Sequence, residues 1–107
     1  MTKVLLVSAP DGSFKSVSAK GHAGFGFKGK DIVCAAETCL LRTAMKVLNE
    51  TEGIVLEVHS GNRGELSFSV SGNGDRERLK CIADFIRQGI KDLSLEYPKL
   101  VEFRELT

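Results

Sequence analysis

The sequence predicts an α+β fold: one mostly antiparallel sheet with two helices packed on it, in the order β-β-α-β-β-α-β. Three observations carry this. Five short segments are rich in branched residues or alternate apolar and polar, the period of a half-buried strand. Two longer segments repeat their apolar residues every three to four positions, the period of an amphipathic helix. Turn signals containing Gly, Pro, Asn and Asp join strands pairwise into hairpins. Such a sheet buries one face under its helices, an ordinary layer arrangement for one domain spanning residues 1–107.

The elements follow in order. Lys3 to Ser8, KVLLVS, reads as the first strand, and Pro10-Asp11-Gly12 as a turn. Phe14 to Lys20, FKSVSAK, alternates and forms the second strand. Gly21 to Lys30 holds four glycines in ten residues, which suits a mobile connection and not an element interior. Asp31 fits a helix N-cap, its carboxylate accepting from backbone N–H groups two and three residues on. The helix it opens runs to about Asn49, with Ile32, Ala35, Ala36, Cys39, Leu40, Thr43 and Val47 as its apolar or small face. Glu37, Arg42, Lys46 and Asn49 form the polar side. Gly53 ends that unit. Ile54–His59 and Glu65–Val70 are strands around the loop SGNRG. Asp75 caps a second helix to about Glu96, with Leu79, Ile82, Ala83, Phe85, Ile86, Ile90 and Leu93 on its apolar face. Pro98 breaks the chain before a last strand, Leu100–Leu106.

Composition narrows the function. The chain has 107 residues, 42% apolar and 27% charged, with a formal net charge of +1. A nucleic-acid binder shows a basic excess or stripe, so direct nucleic-acid binding is not expected. There is no run of 18 apolar residues and no signal-peptide core, so the expectation is a cytoplasmic protein without a membrane segment. The cysteines Cys34, Cys39 and Cys81 are odd in number and form no CxxC pair. Neither a disulfide framework nor a metal site is indicated, and no cofactor is called for.

The segment GHAGFGFKGKDIVCAA holds the chemistry, and its residues allow three readings. As a phosphate cradle it spells GxGxxG, but the helix begins well after the match, Asp31 stands where a phosphate would sit, and no βαβ series surrounds it. As a plain connection it joins a surface histidine to a buried cysteine, since free cysteine usually behaves as a small hydrophobe. Cys39, on the apolar face, and Cys81, beside the second helix, fit that behaviour, and His59 reads as a surface histidine. As a catalytic pair, Cys34 lies in the first helical turn, where the helix dipole and free N–H groups favour a thiolate. His22, twelve positions earlier, is the imidazole that takes the thiol proton and later returns one to a leaving amine. The intervening chain could reach about 40 Å if extended, so contact is sterically easy.

GHAG followed by DIVCAA, with the spacing from His22 to Cys34, resembles the signature of the ribosomal-processing cysteine protease family, Prp. The resemblance runs along the chain, through both hairpins and both helices to Tyr97-Pro98 before the last strand, VEFRE. It implies a cytoplasmic, homodimeric cysteine endopeptidase that removes the N-terminal extension of large-subunit ribosomal protein number twenty-seven, a step needed for ribosome assembly. It implies a dyad of His22 and Cys34, and a substrate with aromatic residues just before the cut. Around the dyad, Gly21, Asp31 and Thr38 are supporting candidates, with Asp31 either a cap or an orienting partner of His22. Phe25 and Phe27 are candidates for holding the substrate. Where the family often reads Cys-Ala-Ala-Val-Ser, this chain reads Cys34-Ala35-Ala36-Glu37-Thr38, and Thr38 keeps a hydroxyl one turn below the cysteine. The rival from another class is a non-catalytic module bound to the ribosome or RNA, which the balanced charge disfavours. A further rival, a redox-sensing thiol, lacks a resolving partner, because Cys39 points off the face of Cys34.

Overall fold

The computed structural model describes residues 1–21, 28–59 and 65–107, with side chains described from residue 32 onward in the first helix. The elements are β1 (Thr2–Ser8), β2 (Phe14–Lys20), α1 (Lys28–Asn49), β3 (Ile54–His59), β4 (Leu66–Gly72), α2 (Arg76–Glu96) and β5 (Val101–Leu106). The order is the expected one. The five strands make a single sheet, β3-β4-β2-β1-β5. Three pairings are antiparallel, and β5 runs parallel to β1.

Strand alternation sorts side chains onto two faces. The inner face carries Val4 and Leu6 of β1, Val17 and Ala19 of β2, Phe68 of β4 and Val101 of β5, all buried. Register places Val4 opposite Ala19, Leu6 opposite Val17 and Val17 opposite Phe68, so these apolar residues form rows across the sheet. Phe14 stacks on Phe68 with ring centroids 5.6 Å apart. Serines line the middle of the outer face: Ser16 stands opposite Ser69, and Ser18 opposite Ser67. Helices cover only the inner face, which is why the strands alternate so clearly in sequence.

The first hairpin turn is held by Asp11, whose carboxylate accepts from the Ser13 backbone N–H at 2.9 Å and from the Ser13 hydroxyl at 2.7 Å. Those bonds hold the Asp11 carboxyl below its ordinary value, with Arg76 at 3.7 Å adding a weaker pull. Gly53 adopts a φ of +83°, and a Cβ there would strike the Asn73 carbonyl oxygen, so the chain entering β3 lies directly against the chain leaving β4.

α2 starts as expected. The Asp75 side chain accepts from the backbone N–H groups of Glu77 and Arg78, and Leu79, Ile82, Ala83, Ile86 and Ile90 are buried. Phe85, placed on that face from the sequence, is 38% exposed at its edge.

α1 differs from expectation in two ways. Its buried stripe is Val33, Glu37, Leu41, Ala44 and Leu48, spaced four, four, three and four residues apart. Of the face expected from sequence, Ile32, Ala35, Cys39 and Thr43 are exposed, and only Leu40 and Val47 pack partly against the core. The leucines decide this: each buries more apolar area than an alanine, cysteine or threonine, so the helix rotates to cover them. The polar Glu37 sits within the winning stripe and masked it. Cys39 is therefore a surface thiol, and so is Cys81 on α2; neither packs in the core.

The second difference is the start. α1 begins at Lys28, so Asp31 is its fourth residue and lies inside the first turn, not ahead of it as a cap. A carboxylate in a first turn still meets the positive end of the helix dipole, which explains why Asp31 reads as a helix-start signal without being the boundary.

Candidate active site

Cys34 is the seventh residue of α1, a free thiol, half-buried. Its turn is anchored by Val33, which is 1% exposed, so Cys34 is fixed at the rim of the core. This placement removes part of the expected activation. The first four N–H groups of a helix lack intrahelical acceptors, and here they belong to residues 28–31. The Cys34 N–H is directed along the helix to the carbonyl of residue 30, and the dipole effect fades within the first turn.

His22, Phe25, Phe27 and the glycine-rich stretch between them lie outside the described residues, and so does the side chain of Asp31. What is described is how the chain arrives there. Gly21, the last residue before His22, has a φ of +99°. A Cβ on it would lie 2.5 Å from the Met1 carbonyl oxygen and 3.8 Å from the Thr2 Cα. Only glycine fits, so the exit from β2 toward His22 is pinned against the start of β1. Thr38, one turn after Cys34, is exposed and shares the cysteine's side of the helix by its four-residue spacing.

Glu37 was assigned to the polar side of α1 by sequence, and the structure places it in the core at 6% exposure. Burial pushes its carboxyl up from 4.5 to about 7, and the Thr2 hydroxyl nearby opposes this only weakly. Thr2 is 1% exposed, and its hydroxyl completes no hydrogen bond of good geometry. No sequence signal singles Thr2 out. Glu37 carried one, a departure from the apolar residue of the resembled motif.

His59, expected at the surface, is exposed at the end of β3, 3.9 Å from Glu57. It shares an end of the sheet with Gly21, because β2 and β3 both terminate there. A shallow hollow of about 220 Å³, lined in part by Lys20, His59, Glu65 and Ser67, opens at that end.

No helix among the described residues is long and apolar enough to cross a membrane. The chain is similar to SMU.848 from Streptococcus mutans, with a TM-score of 0.80, 26% identity, and 100% of this chain and 95% of that one covered. It shares its fold with the ribosomal processing protease Prp of S. aureus in complex with a covalently linked product peptide, at a TM-score of 0.82, 18% identity, and coverage of 98% and 99%. The same S. aureus protease with a substrate peptide gives a TM-score of 0.80 at 19% identity, with the same coverage of both chains. No curated protein matches the sequence. The family model described as cysteine protease Prp matches residues 1–102, and so this chain belongs to the Prp family of cysteine proteases.

Proposed function

We propose that this chain is an endopeptidase that removes the N-terminal extension of large-subunit ribosomal protein number twenty-seven, with Cys34 as nucleophile and His22 as acid and base. The observation that supports it most is the match of the family model over residues 1–102, which contains both groups. Two local features agree with it. Cys34 is half-buried on a turn fixed by the core, and Gly21 pins the chain immediately before His22.

In this mechanism His22 takes the proton of the Cys34 thiol, and Sγ attacks the scissile carbonyl carbon to give a tetrahedral oxyanion. His22 then delivers the proton to the departing amine, the C–N bond breaks, and a thioester remains. Water, deprotonated by His22, attacks the thioester; the new carboxylic acid leaves and the thiol is restored. Because the Cys34 N–H is engaged within α1, the oxyanion needs donors from elsewhere, and the exposed Thr38 hydroxyl is a candidate. Phe25 and Phe27 are candidates for gripping aromatic residues of the substrate, and Asp31 for orienting His22. The working form is proposed to be a cytoplasmic homodimer.

The test is cleavage of a peptide spanning the extension of that ribosomal protein, followed by mass spectrometry. Wild type should cut it, and Cys34→Ala and His22→Ala should each lose at least about 1,000-fold in kcat. Cleavage by Cys34→Ala at the wild-type rate would overturn the assignment of the nucleophile.

A further inference from the structure

The buried end of β1 lies between the two segments that carry the proposed site. Thr2 lies on the inner face, 1% exposed, with its backbone N–H donating to the Leu100 carbonyl at 2.8 Å. On one side, the Met1 carbonyl directly before Thr2 lies so close to Gly21 that no side chain fits between them, and Gly21 directly precedes His22. On the other side, the Thr2 hydroxyl bears on the carboxyl of Glu37, which follows Cys34 by three residues on α1. The start of β1, Met1 and Thr2 together, thus meets both the segment leading to His22 and the helix carrying Cys34.

Two features make this contact unlike ordinary core packing. The buried stripe of α1 is otherwise apolar, and a carboxyl at its second position costs stability that a valine or leucine would not. The Thr2 hydroxyl is the buried side-chain polar atom among the described residues that finds no hydrogen bond of good geometry. Two polar groups face each other where the core has no other use for them.

We infer that Glu37 and Thr2 are positioning residues: they form a latch that sets the second turn of α1 against the exit of β2, and so sets Cys34 relative to His22. The inference rests on the dyad proposed above. Engaged, the latch holds the neutral carboxyl of Glu37 in the core, with the Thr2 hydroxyl donating to one of its oxygens. Ionised, Glu37 seeks water, the turn shifts, and the alignment of Cys34 loosens.

The surroundings agree with control by this one group. On β1, β2 and β5, the charged residues Lys3, Lys20, Glu102 and Arg104 belong to the outer face, by alternation and by the pairing of Lys3 with both Lys20 and Glu102. On β5 the inner positions nearest Thr2 are Val101 and Phe103, and α2 turns Ile86, Ile90 and Leu93 toward the core. Glu105, the remaining inner charge of β5, is taken by Arg87 of α2 at 2.6 Å, and Asp84 also pairs with Arg87. The charge at the amino terminus belongs to Met1, next to Thr2.

The test measures kcat and KM on the extension peptide from pH 5.5 to 8.5 for wild type, Glu37→Gln and Thr2→Val, each at the same folded fraction by circular dichroism. Gln is a neutral near-isostere of the protonated carboxyl. The ratio of kcat in Glu37→Gln to wild type should rise about three- to tenfold across this range, with KM unchanged. Thr2→Val keeps shape and burial but removes the hydroxyl, and should lower kcat at least threefold while leaving the protein no less stable. A constant kcat ratio across pH, or a Thr2→Val variant with wild-type kcat, would overturn the inference. Cys34→Ala and His22→Ala, run in parallel, report separately on the dyad: if they retain cleavage, the dyad reading fails whatever the Glu37 ratio does.

Discussion

Replacing Glu37 by glutamine should stabilise the protein above neutrality and leave it nearly unchanged in acid. Glu37 is 6% exposed, and burial lifts its carboxyl from 4.5 to about 7. The sign follows from proton binding. Between those values the folded chain holds a proton on Glu37 that the unfolded chain has released, so stability falls as pH rises through the window. It is fully present below the unfolded value and lost above the folded one. The span between 4.5 and about 7 is worth about 3 kcal/mol. For a domain of this size each kcal/mol moves Tm by roughly 4–8 °C. Thermal unfolding followed by circular dichroism from pH 4 to 8.5 should therefore show wild type losing on the order of 10 °C relative to Glu37→Gln as pH rises. Taking the difference between the two proteins cancels every contribution that they share. Parallel Tm curves across that range would refute the argument that the carboxyl is held neutral by its burial.

Two further outcomes test how the site is supported and how α2 is fastened. Gly21→Ala places a methyl group 2.5 Å from the Met1 carbonyl oxygen at a φ of +99°, and should cost about 1–3 kcal/mol in urea unfolding and at least tenfold in peptide cleavage at matched folded fraction. A fully active, fully stable variant would mean that the strand exit is not held as described. Glu105→Gln removes the partner that meets Arg87 at 2.6 Å; since the pair is partly exposed, the loss should be only about 1 kcal/mol, shrinking in 1 M salt. Arg87 holds the Glu105 carboxyl below its ordinary value, so the wild-type advantage should also vanish as pH drops through the acid range; a loss that persists at pH 2 would point to packing instead.

Strand positions were legible because the sheet is covered on one face only. FKSVSAK alternates and IVLEVH is rich in branched residues, and their bounds in the structure are those read from sequence, Phe14–Lys20 and Ile54–His59. α2 was legible because Asp75 caps it by a local bond and its apolar residues are large. α1 was harder for a physical reason. Its N-terminal half is built of Ala, Cys and Thr, which contribute little burial energy on either face, so its rotation is decided by Leu41 and Leu48 further along. The polar residue that this rotation carries inward, Glu37, looks like a surface residue to any periodicity argument. The proposed dyad rests on motif spacing, with His22 outside the described residues, and the approach of Thr2 to Glu37 joins the two ends of the sequence's first third and has no local signature.

If Cys34 is the nucleophile proposed above, the start of α1 changes which force activates its thiol. Had the helix begun at Asp31, Cys34 would stand among free N–H groups, and the dipole would favour its thiolate by up to about 1 kcal/mol or more. With the helix beginning at Lys28, Cys34 lies a turn further in, where that field is weak and the N–H groups are already bonded. In the proposed mechanism thiolate formation then depends on the His22 imidazole taking the thiol proton, so the rate becomes sensitive to how that imidazole meets Cys34. A site that depends on alignment is sensitive to the buried residues that hold its helix, and those next to Cys34 on α1 are Val33 and Glu37, with Thr2 near the Glu37 carboxyl. That gives a buried carboxyl leverage it would lack under a cysteine activated by the helix itself, since a loosened turn costs catalysis only where geometry, and not the dipole, makes the nucleophile.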